Sequence, residues 1–143
     1  MSYFTTEKLS YDLAYHRVLS PEAGAVVVFT GTARNHGQEG TGVVALEYEV
    51  KESLATKMLD KIIAQVAEKY GVIKCYVRHK TGRVELMESS VIIAVSCAHR
   101  KEAYLASNEI IDRIKHEVSI WKRAHFSDGH SEWSEGCQVC LVH

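Results

Sequence analysis

The sequence has almost no net charge, because its 17 Lys and Arg residues nearly balance its 18 Asp and Glu residues, giving a formal charge of −1. A chain without a basic surplus has no broad electrostatic footprint for nucleic acid, so any basic site must be local. No apolar run approaches the roughly 20 residues that a membrane-spanning helix needs. The first residues lack a basic segment followed by an apolar core, so we expect no secretory signal.

The sequence also lacks a disulfide framework. A small secreted domain that relies on disulfides concentrates its cysteines at regular spacings. Here the four cysteines are scattered, at Cys75, Cys97, Cys137 and Cys140. We therefore expect a reduced, cytoplasmic setting.

A zinc site remains an open alternative at the end of the chain. Cys137, Cys140 and His143 are spaced three residues apart, and His130 could be a fourth ligand. A structural zinc site needs four ligands at recognisable spacing, and one terminal CxxC falls short of that pattern. The sequence therefore predicts no metal and no cofactor.

The order of apolar patterns predicts one α+β domain over residues 1–133, followed by a polar tail at 134–143 whose order is left open. Residues 25–30 are β-branched and apolar on both faces, which predicts a central strand. Residues 52–70 form an amphipathic helix that Gly71 should end. Lys74, Arg78 and Lys80 are predicted to point outward from a strand at 73–81. We expect a mixed or antiparallel sheet with both main helices on one face.

A strand-to-helix turn carries the best candidate site. Residues 91–95 are a short apolar run, and the helix that follows is predicted from about Arg100 to Glu117. His99 and Arg100 then stand at the helix start, where free backbone N–H groups and the helix dipole favour an anion. Their placement predicts a site for a phosphorylated small molecule. The alternative is that His99 simply caps the helix.

Two lysines stand near the other end of this helix. Lys115 lies beside the apolar stripe, and Lys122 follows seven residues later, on the same side if the helix continues that far. The apolar patch around Trp121 permits a desolvated amine that serves as acid, base or nucleophile. Ordinary solvated helix charges are the alternative.

A glycine-rich segment after the first buried strand supplies further candidates, Arg34, Asn35 and His36. An Arg side chain offers a planar fork for phosphate, and His exchanges protons near neutral pH. The segment lacks the GxGxxG and GxxxxGK[ST] patterns of nucleotide loops. A solvated loop is the alternative.

Five segments in register resemble one known family, the large, catalytic subunits of molybdopterin synthase. They run in order over most of the chain, from about residue 24 to Trp133. The segments are FTGTARNH (29–36), LEYE (46–49), HKTGR (79–83), SCAHR (96–100) and WKR (121–123).

This resemblance implies an α+β fold of the hammerhead type and a sulfurtransferase of molybdenum cofactor biosynthesis. Such an enzyme converts cyclic pyranopterin monophosphate to molybdopterin, with sulfur supplied by a small ubiquitin-like carrier subunit ending in a Gly-Gly thiocarboxylate. The large subunit is expected to form a homodimer, and a heterotetramer with the carrier, without nucleic acid or membrane partners. Arg34, His99 and Arg100 are expected to bind substrate, with His36 as a pocket neighbour. Lys115 and Lys122 are the catalytic candidates, and all but His36 should meet in one cationic cavity, within one chain or across a subunit boundary.

The chain also departs from the family pattern. Ser119 stands where the family often has proline. A serine at this position would let the helix run on. Cys97 precedes the site turn, where we expect a packing role rather than a sulfur relay. A non-catalytic, dimeric module that binds a phosphorylated metabolite is the alternative function, because the basic turn would suit it equally well.

Overall fold

The computed structural model describes residues 2–37 and 40–135. The predicted α+β class is confirmed, with two long helices, one short helix and ten strands within these ranges. The helices are α1 (Tyr11–Arg17), α2 (Glu52–Tyr70) and α3 (Arg100–Glu117). The strands are β1 (Phe4–Thr5), β2 (Ala25–Thr32), β3 (His36–Gly37), β4 (Gly40–Thr41), β5 (Val43–Val50), β6 (Lys74–Lys80), β7 (Gly82–Glu85), β8 (Ser89–Cys97), β9 (Ile120–Phe126) and β10 (Ser131–Glu135). The last strand extends to Glu135, and the remainder of the predicted tail, residues 136–143, lies outside the described residues.

The first sheet has the strand order β1-β6-β8-β2, in which only β1 is parallel to its neighbour. β2 pairs with β8 from Ala25 opposite Cys97 to Thr32 opposite Ser89. The prediction of a central position for β2 is wrong, because within the described residues it pairs on one side only. Its two apolar faces have another cause. Val27 packs into the α2–α3 core and Val28 packs against the α1 side, so helices cover both faces.

The main core lies between this sheet and the two long helices, as predicted. The buried side chains of α2 and α3 share it with alternate residues of β8. At the surface of the helix pair, Glu109 accepts hydrogen bonds from Lys69 and Tyr70, each at 2.8 Å. α1 packs on the opposite face, where Ala14 and Val18 meet β8. The sheet is therefore the middle layer of three.

A second sheet, with the order β10-β9-β5-β7, is antiparallel throughout. It has a small core of its own. Tyr48 of β5 packs at the margin of both this cluster and the main core, which joins the two sheets into one body.

Local sequence signals explain two of the six helix ends. Ser10 accepts a hydrogen bond from the Leu13 amide at 3.1 Å and begins α1. Gly71 ends α2 in the left-handed conformation, at φ 67°, as predicted. α3 ends at Glu117, as predicted, and Val118 is already extended, so Ser119 does not let the helix run on. From Ile120 the chain forms β9, which pairs with β5.

Within residues 2–37 and 40–135, no helix is both long enough and apolar enough to cross a membrane.

Candidate active site

The turn between β8 and α3 presents His99 and Arg100, as predicted. Only Ala98 and His99 separate the strand from the helix, and the Gly24 amide donates a 3.1 Å hydrogen bond to the carbonyl of Cys97. Gly24 packs so closely that a β-carbon there would lie 2.4 Å from the Ala98 oxygen. The turn therefore has a tightly fixed backbone.

His99 is the N-cap residue of α3 but makes no side-chain capping bond. The interpretation of His99 as a simple helix cap is therefore not supported. Both His99 and Arg100 are exposed. The unpaired amides of the first turn and the positive end of the helix dipole lie beside them, which is an arrangement that attracts an anion.

Lys115 and Lys122 lie near the other end of α3, on different elements. Lys115 is in the last helical turn and is exposed, so it lacks the desolvation that the hypothesis of an activated lysine requires. Lys122 lies in β9 and is half-buried, opposite Tyr48 of β5. Strand alternation places Lys122 on the same face as the buried Ile120 and Ala124. Of the two lysines, Lys122 thus has the more enclosed environment.

Arg34 lies two residues beyond the end of β2, and its side chain is exposed. The preceding residue, Ala33, forms a bridge with Leu86, and the carbonyl of Asn35 accepts a 3.1 Å hydrogen bond from the Val43 amide. His36, in β3, is exposed and lies 3.0 Å through Nδ1 from the side-chain oxygen of Asn35. The backbone around Arg34 is therefore anchored while its guanidinium reaches solvent.

One chain does not bring the five predicted cationic residues into one cavity. Arg100 and Lys115 are fifteen positions apart on a continuous helix, which corresponds to about 22 Å along the axis. The two-residue turn before α3, together with its packing on β8 and β2, makes the helix double back along the sheet.

This path sorts the candidates into two sets. His99 and Arg100 lie where β8 ends and β2 begins, because Cys97 pairs with Ala25. Arg34 lies just beyond the other end of β2. The C-terminus of α3, which carries Lys115, points towards this same end. Lys122 comes just after that helix end. We call His99 and Arg100 the anion set, and Arg34, Lys115 and Lys122 the tail set.

Sequence reasoning missed a buried polar group beside the tail set. Lys80 was predicted to point outward, which is wrong, because it is 8% exposed and forms an ion pair with Glu88. Its partner lies beyond a turn that sequence patterns do not reveal. Neighbouring His79 is equally buried, and its Nδ1 donates to the carbonyl of Lys80 at 2.8 Å.

Burial lowers the pKa of His79 to about 4, although its bond to the Lys80 carbonyl acts in the opposite direction. The imidazole is therefore neutral at physiological pH. It meets the ring of Tyr48 edge-on, with the ring centroids 4.9 Å apart. Because Tyr48 is the strand partner of Lys122, a neutral and not a cationic ring lies behind this lysine.

A surface cavity of about 500 Å³ adjoins the start of β9. It contains none of the predicted site residues, but its wall includes Trp121, the chain neighbour of Lys122. The lining residues are Glu49, Val50, Lys51, Trp121 and Trp133. The guanidinium of Arg123 stacks on Trp133 at 5.2 Å from the ring centroid. Strand register brings the two tryptophans together, since β10 pairs with β9.

The thiols of the described region do not suit sulfur chemistry. Cys97 is buried in the main core, which agrees with the predicted packing role. Burial raises the pKa of Cys75 to about 12 and also raises the pKa of Cys97. A thiol must ionise to act as a nucleophile, so both are poor relays.

Within the described ranges, no group of three or more His, Cys, Asp or Glu residues could hold a metal ion. His130, the proposed fourth zinc ligand, hydrogen-bonds Asp128 and stacks on Phe126 at 4.3 Å. Cys137, Cys140 and His143 lie outside the described residues, so the zinc alternative stays untested.

Comparison with known proteins gives a consistent result. The family described as MoaE protein matches residues 4–117. A molybdopterin synthase catalytic subunit from Thermoplasma volcanium is 42% identical over 118 residues, which cover 82% of this chain and 85% of that protein. The subunit of the same name from Homo sapiens is 41% identical over 138 residues, covering 96% and 72%. Among solved structures, molybdopterin synthase from Staphylococcus aureus aligns with a TM-score of 0.85 at 36% identity, over 93% of this chain and 96% of that chain. The chain belongs to the MoaE family of molybdopterin synthase catalytic subunits, which are sulfurtransferases of molybdenum cofactor biosynthesis.

Proposed function

We propose that this chain transfers sulfur from the thiocarboxylated C-terminus of a small, ubiquitin-like carrier subunit to cyclic pyranopterin monophosphate, forming the dithiolene of molybdopterin. The observation that carries the proposal is the pair of cationic sets on a fold shared with molybdopterin synthase. The word subunit in the names of the relatives supports a carrier partner. Among the described residues, Cys75 and Cys97 are free thiols, which supports the expected cytoplasmic setting.

The anion set suits the substrate's phosphate. The start of α3 combines free backbone amides, the helix dipole and the Arg100 guanidinium in one place. His99 adds a donor that can turn toward the same ligand, because it makes no capping bond. Arg34, with His36 beside it, supplies a second fork for phosphate or for the edge of the pterin ring.

The tail set suits the sulfur donor. An incoming Gly-Gly thiocarboxylate is an extended, negatively charged peptide end, and Lys122 offers it a half-buried cation. We assign Lys122 to stabilising the negative charge on the thiocarboxylate or on the opening phosphate. Lys115 is assigned to positioning the acyl–sulfur tail or to proton transfer, and proton transfer requires that the partner protomer or the carrier covers this lysine, which is exposed in one chain.

The edge position of β2 supports a homodimer. Its residues from Ala25 to Gly31 are all half-buried, and the strand is apolar, eight residues long and free of Lys and Pro. In the part of the chain that the structure describes, no strand pairs with its outer edge, and an edge of this kind readily pairs with another strand. A second copy of β2, related by a two-fold axis, can pair with it in antiparallel orientation.

Such pairing would unite the two cationic sets. Antiparallel β2 strands place the Ala25 end of one protomer beside the Thr32 end of its partner. β2 is about 26 Å long and α3 about 27 Å, so the two elements span the same distance. The anion set of one protomer then faces the tail set of the other, and the dimer has two complete sites.

Mixed dimers test this arrangement. Arg100→Ala and Lys115→Ala chains carrying different tags are co-expressed, and the mixed dimer is isolated by two affinity steps. If each site draws on both chains, one of its two sites is intact and activity returns to about half that of the wild type. If each site lies within one chain, both sites stay defective and no activity returns.

A second experiment tests the proposed role of Lys115 in dithiolene formation. Lys115→Ala is assayed for dithiolene formation with thiocarboxylated carrier and cyclic pyranopterin monophosphate. We expect a loss of about a hundredfold or more, as for removal of a proton-transfer group. Lys57→Ala, at an exposed lysine of α2, is the matched control and should retain activity. Near-wild-type dithiolene formation by Lys115→Ala would overturn the role of this lysine.

A further inference from the structure

The Lys80 and Glu88 side chains form an ion pair that does not belong to either cationic set. Burying an ion pair costs free energy, so its presence calls for an explanation. The side chains of Lys80 and Glu88 are only 10% and 12% exposed. The pair persists where its geometry is good and its other polar atoms are also bonded. The groups bonded to Lys80 and Glu88 therefore indicate which part of the structure the ion pair stabilises.

Glu88 fixes a tight turn that follows β7. Its Oε2 accepts the bond from Lys80 Nζ, and its Oε1 accepts a 2.9 Å bond from the Glu85 amide. Its own amide donates to the Glu85 carbonyl at 3.0 Å. One carboxylate thus joins the end of β6 to both ends of the turn, and the Lys80 ammonium lowers the pKa of that carboxyl.

This turn holds the backbone immediately before Arg34. The Ala33 amide donates to the Glu88 carbonyl at 3.1 Å, and the Met87 amide donates to the Ala33 carbonyl at 2.9 Å. Ala33 itself is 3% exposed. The turn therefore sets the position of the Arg34 α-carbon. This position determines which ligands the exposed guanidinium can contact.

The turn is also strained. Met87 has φ 70°, the one positive φ at a residue other than glycine in the described part of the chain. A side-chain-bearing residue in this region costs free energy and persists only where its surroundings hold it. Lys80 and Glu88 supply that restraint from the protein interior.

We infer that Lys80 and Glu88 are positioning residues for Arg34. Acting through the 85–88 turn and Ala33, they hold the guanidinium where it meets the substrate's phosphate or pterin ring. Displacing a binding group by about 1 Å can reduce catalysis by about a hundredfold. The inference rests on the proposed function, because it requires that Arg34 contacts substrate.

The test uses Lys80→Met and the milder Glu88→Gln in the full chain with its carrier. We expect KM for cyclic pyranopterin monophosphate to rise about tenfold or more, with a smaller change in kcat. Lys80→Arg, which keeps the cation and its hydrogen bonds, should restore KM. The control is Val66→Ala, a core truncation in α2 that lowers Tm without touching the turn. An equal rise in KM in this control would overturn the inference.

Two further measurements separate this inference from the proposed function. In an Arg34→Ala background, Lys80→Met should cause no further rise in KM, and an undiminished rise would refute action through Arg34. Amide hydrogen exchange at Ala33 and Met87 should quicken in Lys80→Met relative to Val66→Ala, and unchanged exchange would show that the pair does not hold the turn. A normal KM for Arg34→Ala alone would instead count against the proposed role of Arg34 in substrate binding.

Discussion

His79 should make the stability of this protein fall between neutral and mildly acidic pH. The perturbation is a change of pH from 7 to 5, compared in the wild type and in His79→Gln. In the folded chain the pKa of His79 is about 4, because burial opposes the charged form. In the unfolded chain it returns to its ordinary value of about 6.5.

The sign and size of the effect follow from these two values. Between pH 6.5 and pH 4 the unfolded chain binds a proton that the folded chain refuses, so acid favours unfolding. The contribution is present above the unfolded pKa and is lost as the pH falls. Integration over the two titrations gives a loss of about 2 kcal/mol between pH 7 and pH 5. For a chain of this size, that loss corresponds to about 4–8 °C in Tm.

The carboxylates titrate in a different window. Four of them have pKa values lowered by cationic or hydrogen-bonding partners, so their stabilisation is lost only below about pH 4.5. These are Glu88, Glu109, Glu117 and Asp128. Among the described groups with a shifted pKa, only His79 therefore changes its contribution between pH 7 and pH 5.

The assay is urea unfolding of each protein at pH 7 and at pH 5. His79→Gln is expected to be less stable at pH 7, since it loses the ring contact with Tyr48, but to lose about 2 kcal/mol less on acidification. His16→Gln, at an exposed histidine of α1, should follow the wild type. Parallel pH dependence for wild type and His79→Gln would refute the assignment of a buried, neutral imidazole.

Substitutions at Met87, Ser96 and Gly24 probe three other local features. Met87→Gly should raise the free energy of unfolding by about 0.5–1 kcal/mol, because it relieves the positive φ, and Met87→Ala should not; denaturant unfolding checks both. Ser96→Ala should stabilise by about 1 kcal/mol, since the buried Ser96 hydroxyl has no hydrogen-bond partner in the described structure. Ser107→Ala, which removes a 3.0 Å bond to the Tyr104 carbonyl, should not stabilise, and a gain of equal size there would contradict this reasoning. Gly24→Ala should destabilise by about 1–3 kcal/mol and weaken substrate binding, measured by Tm and KM, because the added β-carbon collides with the turn before α3. Unchanged Tm and KM would contradict it.

Local patterns in the sequence predicted the bounds of helices and strands better than they predicted which elements pair or pack together. The bounds of α2 and the start of α3 are readable from apolar spacing and from Gly71, because helix signals act within a few residues. The edge position of β2 is not readable, since an apolar strand covered by helices on both faces has the same composition as a central one. The end of α3 at Glu117 was predicted, but the strand that begins at Ile120 was not, because pairing of β9 with β5 decides it.

The candidate site shows the same division. The place of His99 and Arg100 at a helix start follows from the run of residues around them, and the structure has them there. The buried state of Lys80 depends on Glu88, which a turn brings back to it, and no periodic signal marks that contact. The distance between Arg100 and Lys115 could be calculated from the helix alone, and it implies that the expected shared cavity needs residues of two chains.

The equal length of α3 and β2 restricts how this family member can vary. One residue inserted in α3 would rotate Lys115 by about 100° about the helix axis and move it by about 1.5 Å. Seven inserted residues would restore the rotation but lengthen the helix by about 10.5 Å, out of step with the strand beneath it. Insertions and deletions should therefore be tolerated in the β3–β4 ribbon and be absent between residues 100 and 115, where a change of count misplaces one cationic set relative to the other.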